Sequence, residues 1–331
     1  MNFNDIIGQQ EVVEGLKNSI KTNKTGHAYI FNGPRGIGKK TAARIFAGLM
    51  LCSKADPTGT CGECTPCRLF ANNSNPDFRE IEAGGASIGV DDIRSIQGDI
   101  MVKPLYSPRK VYLILDAEKM TVQAQNGLLK TLEEPPPYAT LILTTSNADA
   151  LLETVKSRAF KYNFKKNTPE EVLRALASRP GSRDKDMRFI ASYADGVIGT
   201  ALELVNSEEF FSLREKTLEI FLELRKAKLS DIFDMYRFFE ANKDHMDTIL
   251  DTLLLLYRDM LVFKETGKEN ILINSDKKDI ILRNVGNFTV QNLIHHMGAI
   301  DTTRRMIKQN ANFQLAIEVM LMKLQEESAE W

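Results

Sequence analysis

Four cysteines, the only ones in the chain, lie within residues 52–67: Cys52, Cys61, Cys64 and Cys67. A Cys-x2-Cys spacing brings two thiolates to one ion through a tight turn, and four thiolates complete a closed tetrahedral shell around zinc. The prolines and glycines of the segment supply the turns that such a small module needs. The alternatives are four free thiols or a disulfide pair, and the lack of an N-terminal secretory signal argues against the disulfide. The cysteines therefore predict a structural zinc site with no open position for catalysis.

A glycine-rich loop at residues 33–41, GPRGIGKKT, nearly matches the loop that binds nucleotide phosphates. In that motif, G-x-x-x-x-G-K is followed by a Ser or Thr whose hydroxyl ligates magnesium. Here Lys40 takes the hydroxyl position, and a frame that uses Thr41 instead misplaces the glycines. At about 4 Å and an effective dielectric near 20, the Lys40 ammonium would repel each unit of charge on magnesium by about 4 kcal/mol. The loop N–H groups and Lys39 remain, so we expect weak binding of ATP or ADP, or none, and no hydrolysis.

An acidic residue follows a second apolar run, as a magnesium-dependent ATPase requires. Asp116 comes directly after residues 111–115, but the next position, where the water-orienting Glu belongs, is Ala117. Glu118 lies one residue further, and neighbouring residues of an extended chain point to opposite faces. We therefore expect that Glu118 does not substitute. The alternative for Asp116 itself is a solvated strand end.

The N-terminal half must position these groups on a sheet. Apolar runs at residues 27–32, 110–115 and 140–143 read as strands, and residues 41–51 and 124–132 have helical spacing, the latter ended by Pro135–Pro137. Strands that alternate with helices predict a parallel sheet covered on both faces. From Thr168 onward strand signals nearly vanish. Thr168, Pro169 and Glu171 form a capping signal for a helix start. Helical spacing continues through 210–224 and 313–324.

The composition is that of an ordinary globular protein. The chain has 331 residues, 43% of them hydrophobic and 26% charged, with a formal net charge of −1. It therefore has no global basic field that would attract nucleic acid, and any DNA contact must come from a local patch or from partners. The most apolar stretch, residues 249–263, contains charges and is too short to cross a bilayer. We expect a cytosolic protein.

The motifs together resemble a known family. They are FNDIIGQ at 3–9, HAYIFNGPRGIGKK at 27–40, the cysteine insert, LLKTLEEPP at 128–136, TTSN at 144–147, SRA at 157–159 and NFQLA at 312–316. In this order the chain resembles the bacterial DNA polymerase III clamp-loader subunits, and within them the delta-prime subunit more than the gamma/tau motor. The resemblance implies an α/β domain of the AAA+ P-loop type followed by all-α domains. It implies a parallel-sheet domain at 1–166 with a zinc insert at 52–67, a helical lid at 167–207 and a helical collar at 208–331.

Family roles carry over to individual residues with some departures. Lys39 matches the phosphate-binding lysine, and Thr144 or Thr145 the first sensor. Arg158 matches the arginine of the SRC motif, which reaches a neighbouring subunit's nucleotide, although Ala159 replaces the cysteine. Gly199 stands where the lid normally has its sensor arginine. The candidate nucleotide-binding set is then Gly33, Gly36, Gly38, Lys39, Lys40, Thr41, Asp116, Thr144 and Thr145.

The resemblance implies a scaffold that loads a sliding clamp on primed DNA. It would assemble in a pentamer with gamma/tau and delta, supply Arg158 in trans, have little or no ATPase of its own and work in the nucleoid-associated replisome. The alternative for Arg158 is an ordinary surface salt bridge. The alternative function is an active gamma/tau-type motor, against which Ala117, Gly199 and the end of the chain at Trp331 argue. A stand-alone P-loop enzyme is a third and weaker interpretation.

Overall fold

A five-stranded parallel sheet forms the centre of the N-terminal half. The computed structural model describes residues 2–177, 187–224 and 226–325. The strands pair in the order β2-β3-β4-β1-β5, and every pairing is parallel. Their bounds are β1 Ala28–Asn32, β2 Phe78–Ile81, β3 Lys110–Ile114, β4 Ala139–Thr145 and β5 Phe160–Asn163.

Helices cover this sheet and then make up the remainder of the described chain. Those of the first half are α1 Gln10–Lys21, α2 Lys39–Leu51, α3 Thr65–Ala71, α4 Val90–Ile100, α5 Val122–Glu133, α6 Glu153–Lys156 and α7 Pro169–Ala177. Those of the second half are α8 Met187–Tyr193, α9 Ile198–Leu204, α10 Glu208–Leu224, α11 Leu229–Ala241, α12 Met246–Thr266, α13 Lys278–Asn284, α14 Val290–Lys308 and α15 Phe313–Gln325.

Both faces of the sheet are buried, as the near-continuous apolar strands require. Alternate residues of β1 enter different cores, because side chains of a strand point to opposite faces. Tyr29 and Phe31 pack in one core with Leu16 of α1 and Phe46 of α2. Ala28 and Ile30 pack in the other core, with residues of α4 and α5. The predicted parallel sheet covered on both faces, followed by a helical region, is confirmed.

The three strands expected from sequence are present, as β1, β3 and β4. The sequence did not reveal β2 and β5, which are the two edges of the sheet. Helix α2 begins at Lys39, two residues before its expected start, so Thr41 lies in the first turn. Helix α7 starts as expected: the Thr168 hydroxyl accepts from the Glu171 N–H at 3.3 Å, and the Glu171 carboxylate accepts from the Thr168 N–H at 2.9 Å.

The chain divides into two compact units. The first comprises Met1–Arg179 with Ala194–Ala201, and the second Pro180–Tyr193 with Leu202–Trp331. A separate core fills the second unit, with α12, which contains residues 249–263, at its centre. The boundaries at 166 and 207 stay a prediction, and residues 178–186 of the lid and 326–331 of the collar lie outside the described residues. None of the described helices combines the length and apolar character needed to cross a membrane.

Candidate nucleotide cleft, cysteine cluster and interface arginine

A cleft of about 270 Å³ opens at the carboxyl ends of the parallel strands, where sheets of this kind bind ligands. Seven of the nine predicted nucleotide residues line it: Gly36, Gly38, Lys39, Lys40, Thr41, Asp116 and Thr144. Gly33 and Thr145 are not among the lining residues. Gly33 has φ +155°, and a Cβ there would lie 2.7 Å from the Phe164 carbonyl oxygen. Thr145 is fully buried, and its hydroxyl accepts from the Asn147 N–H at 3.1 Å.

The P-loop lysine is bound by its own loop. The side chain of Lys39 is buried, and its Nζ donates to the carbonyl oxygens of Gly33 at 2.7 Å and Pro34 at 2.8 Å. Burial lowers the pKa of Lys39, and the nearby carboxylates of Glu118 and Asp116 oppose that shift. The cation that would face a phosphate is therefore hydrogen-bonded to two carbonyls.

The lysine in the hydroxyl position is paired with the edge strand. Lys40 Nζ lies 2.8 Å from Glu80 Oε1 on β2 and 3.8 Å from Glu82 Oε2. The other oxygen of Glu80 accepts from Arg44 at 2.7 Å. Glu80 thus forms ion pairs with two cations of helix α2, and it draws the Lys40 ammonium toward the edge strand.

The glycine in the lid-arginine position lies directly on the P-loop. The N–H of Gly199 donates to the Gly36 carbonyl at 2.9 Å. A Cβ on Gly199 would lie 2.6 Å from that carbonyl oxygen and 2.8 Å from the Gly36 Cα, closer than real Cβ contacts allow. The residues just before Gly199 are also held by Asn167. The backbone N–H and the Nδ2 of Asn167 both donate to the Gly196 carbonyl, at 2.9 and 3.1 Å. No side chain fits at position 199 while this contact exists.

The acidic segment after β3 is turned rather than extended. The strand ends at Ile114, Asp116 has a left-handed φ of +46°, and residues 117–119 form a 3-10 turn. The expectation for Glu118 assumed an extended chain, and that reason is wrong. Glu118 instead accepts from the Ser146 N–H at 3.1 Å and from the Ser146 hydroxyl.

Hydrogen bonds from Ser146 affect the pKa of Glu118. Burial alone would raise the pKa of Glu118, but the hydrogen bonds from Ser146 lower it overall. Asp116 lines the cleft, pairs with Lys119 at 3.0 Å, and its N–H donates to the Thr144 hydroxyl at 3.3 Å. Of the two carboxylates in this turn, Asp116 is the one that lines the cleft, while Glu118 is engaged by the end of β4.

The four cysteine sulfurs lie within 4.8 Å of one another. Three of the Sγ–Sγ distances are 3.5 Å for Cys52–Cys61 and 3.9 Å for Cys52–Cys64 and Cys61–Cys67. A tetrahedron with zinc–sulfur bonds of about 2.3 Å has edges of about 3.8 Å. The donor set and the spacing therefore fit one zinc ion.

Local backbone geometry prepares this cluster. Cys52 caps the end of α2, Cys64 precedes the first turn of α3, and Gly62 between them has φ +75°. Hydrogen bonds from the backbone N–H groups of Cys64 and Glu63 lower the pKa of the Cys61 thiol to about 6. The cluster also supports the N-terminus, because the Phe3 N–H donates to the Thr58 carbonyl at 3.2 Å.

Arg158 lies at the end of the sheet where the parallel strands begin, opposite to the end that carries the P-loop. It lies two residues before the first residue of β5, and β5 runs parallel to β1 with Phe160 beside Tyr29 and Asn163 beside Asn32. Arg158 is therefore level with the start of β1, whereas the P-loop follows its end. At about 3.3 Å per residue the two are roughly 20 Å apart along the strands.

Comparison with known proteins identifies the family to which this chain belongs. The sequence matches the family described as DNA polymerase III, delta subunit, over residues 8–168, and the corresponding C-terminal family over residues 208–326. It is 31% identical to the DNA polymerase III subunit delta' of Bacillus subtilis over 96% of both chains. The chain belongs to the DNA polymerase III clamp-loader family.

Other clamp-loader relatives match almost the whole of this chain but are longer. The tau subunit of Bacillus subtilis is 29% identical over 97% of this chain and 61% of its own length. The gamma/tau subunit of Mycoplasma genitalium is 30% identical over 98% of this chain and 56% of its own. Among solved structures, a gamma subunit-related protein of Thermotoga maritima covers 95% of this chain and 98% of its own, with 23% identity and a TM-score of 0.49.

Three groups at the sites of this clamp-loader-family protein were not identified from sequence. Glu80 pairs with Lys40, Ser146 binds Glu118, and Glu133 pairs with Arg158 at 2.9 Å. Each depends on contacts between elements that are distant along the chain. Glu133 and Ser146 lie in motifs that the sequence shows, LLKTLEEPP and TTSN, whereas Glu80 lies outside every motif.

Proposed function

We propose that this chain is a delta-prime-type clamp-loader subunit, a scaffold that does not hydrolyse ATP but completes the ATP site of a neighbour. It assembles through its helical second unit with gamma/tau and delta subunits in a pentamer, and it helps to load a sliding clamp on primed DNA in the cytoplasm. The match to a delta' relative over 96% of both chains supports this assignment.

The backbone contact between Gly199 and Gly36 carries the proposal. A motor subunit needs an open P-loop and a lid arginine that faces the nucleotide. Here a glycine packs on the loop, Lys39 is bound by loop carbonyls and Lys40 by Glu80. The first two features reduce the ability of the cleft to bind the γ-phosphate, and Lys40, which is directed to Glu80, supplies no hydroxyl ligand for magnesium.

The position of Arg158 supports an action in trans. A roughly 20 Å separation from its own P-loop excludes contact with a nucleotide bound there. The guanidinium is partly exposed at an edge that a neighbouring subunit can reach. An arginine at that position would offset charge that develops on the neighbour's γ-phosphate.

We expect the isolated chain to have no ATPase above background. The hydroxyl ligand, the Glu after Asp116 and the lid arginine are all missing, so steps that need magnesium and an activated water lack their groups. Steady-state phosphate release by the wild type and by Lys39→Ala should be equal, and any weak binding of ATP or ADP should be lost in the variant. Turnover by the wild type that disappears in Lys39→Ala would contradict the proposal.

That outcome would favour the alternative, a gamma/tau-type motor. One observation speaks for it: Lys39, Asp116 and Thr144 line a single cleft, as a working ATP site requires. Co-purification separates the assignments further, because a delta-prime-type subunit should enter a complex that already contains gamma/tau and delta.

We further propose that the four cysteines hold one structural zinc ion. All four positions of the shell are thiolates, so no site is left for a substrate. The ion would join the end of the P-loop helix α2 to α3, whose Phe70 is buried in the core of the sheet. Structural zinc of this kind contributes on the order of 10 kcal/mol to local folding.

Freshly purified protein should contain close to one zinc per chain by elemental analysis. Cys64→Ser should lower that content, because three thiolates and a hydroxyl bind zinc less tightly. The helical second unit should stay folded in this variant, since its core is separate. A zinc content well below one per chain in unchelated wild-type protein would contradict the assignment.

A further inference from the structure

Arg158 is held by three groups of its own chain. Nη2 lies 2.9 Å from Glu133 Oε1, and Nη1 donates to the Thr154 carbonyl at 3.0 Å and to the Ser157 hydroxyl at 3.3 Å. Two of these partners, Thr154 in α6 and its C-cap Ser157, directly precede Arg158, so the side chain is folded back on the preceding helix. The third, Glu133, is the last residue of α5, immediately before the cap at Glu134 and the prolines that end the helix.

The position of Glu133 is set by the fold. Helix α5 runs from the end of the sheet that carries the P-loop back to the end where β4 begins. Arg158 lies at that same end, just before β5. The two side chains therefore meet without any contribution from a partner. Both remain accessible, at 36% exposure for Arg158 and 51% for Glu133.

We propose that Glu133 is a positioning residue that retains Arg158 in a folded-back state, and that a neighbour's γ-phosphate releases the arginine by competing with this carboxylate. The guanidinium cannot extend across an interface while it holds Glu133 and the Thr154 carbonyl. A carboxylate 2.9 Å from the guanidinium also neutralises the charge that the arginine would offer. A nucleotide triphosphate, which carries more negative charge than one carboxylate, can displace Glu133.

The magnitude of this competition is modest. Ion pairs between accessible side chains are weak, so removing Glu133 should raise the extended fraction of Arg158 by up to about fivefold. Such a pair is suited to a switch that must open in each cycle, because a strong pair would keep the arginine from the phosphate. This inference rests on the proposed action of Arg158 in trans.

The test uses the reconstituted complex with gamma/tau, delta, clamp and primed DNA. Glu133→Gln, which keeps the shape of the side chain and removes its charge, should raise hydrolysis at the site served by Arg158 up to about fivefold in single-turnover measurements, and the steady-state kcat of the complex by less, with little change in KM for ATP. Glu133→Asp, which keeps the charge, should stay near the wild-type rate. Glu134→Gln is the matched control, because Glu134 is an exposed neighbour with no ion pair among the described residues.

The double variant Glu133→Gln/Arg158→Ala, together with the single variants, separates the retention of Arg158 by Glu133 from the action of Arg158 in trans. It should have the rate of Arg158→Ala alone, because Glu133 acts only through the arginine. One outcome is that Arg158→Ala lowers the ATPase rate of the complex while Glu133→Gln leaves that rate unchanged or lowers it. In that case the hypothesis that Glu133 retains Arg158 is wrong, and the action of Arg158 in trans stands. If Arg158→Ala has no effect in an assembled complex, the proposed function itself is wrong.

Discussion

Replacing Arg158 with alanine should slow hydrolysis at one ATP site of the assembled clamp loader by on the order of 10³-fold, the scale on which an arginine supplied in trans acts. The effect should appear in a partner's rate and not in the stability of this chain, because Arg158 is an accessible residue in a surface ion pair. The steady-state rate of the complex should fall only in part, since sites served by other subunits stay intact.

Single-turnover hydrolysis of radiolabelled ATP by the complex would separate the affected site from the others. The wild type should give one fast population, and Arg158→Ala should convert part of it into a slow phase. Arg158→Lys should give an intermediate rate, because an ammonium keeps the charge but lacks the planar fork of donors. Lys156→Ala is a matched control two residues before Arg158, at the end of α6, where the lysine pairs with Glu153 at 2.8 Å. Equal progress curves for wild type and Arg158→Ala in a fully assembled complex would exclude the role.

The central strands could be predicted from sequence because they are buried on both faces. β1, β3 and β4 are apolar runs, and such a run predicts a strand without knowledge of the strands beside it. β3 and β4 are buried along their whole lengths. β2 and β5 lie at the sheet edges and carry residues such as Arg79 and Lys161, so their sequences have no apolar run. Pairing with β3 and β1 defines them, and that information lies elsewhere in the chain.

In the candidate site, too, features of local sequence could be predicted and contacts between distant residues could not. The missing hydroxyl, Ala117 and Gly199 are visible as departures from a motif, so sequence predicted an impaired ATP site. Sequence could not predict that Lys40 is satisfied by Glu80 forty residues away, because this pair depends on how α2 packs beside an edge strand. The contact of Gly199 with Gly36 also depends on tertiary packing. The reason given for Glu118 was wrong because the left-handed Asp116 turns the chain where extended backbone was assumed, while the expectation that Glu118 does not substitute stays a prediction.

The helical second unit contains a buried charge that the sequence did not mark. Arg214 on α10 is 1% exposed and makes two bonds to Asp276, at 2.7 and 2.9 Å, and one to Asn274 Oδ1 at 2.9 Å. The ring of Phe189 lies 3.6 Å from its guanidinium carbon. Asp259, fully buried on α12, accepts two bonds from Asn274, and these residues together fix the loop before α13.

Arg214→Leu should therefore destabilise the second unit by about 3–5 kcal/mol, because it leaves Asp276 and Asn274 without their partner in a low-dielectric interior. Arg237→Leu is the matched control, since Arg237 forms an exposed pair with Asp234 and its loss should cost less than about 1 kcal/mol. Hydrogen exchange of the full chain, followed in peptides from α10 and α12, should accelerate by on the order of 10²- to 10³-fold in Arg214→Leu. Peptides from β1 and β4 should be unchanged.

The double variant Arg214→Leu/Asp276→Leu tests the reason for the loss. If the penalty comes from the unpaired Asp276 carboxylate, whose side chain is 13% exposed, its removal should restore much of the stability, because apolar pairs of similar volume often replace buried ion pairs without cost. If the double variant is as unstable as Arg214→Leu, the packing of the guanidinium against Phe189 is the larger contribution. A change below about 1 kcal/mol in Arg214→Leu would mean that solvent reaches this network and that the ion pair behaves as a surface pair.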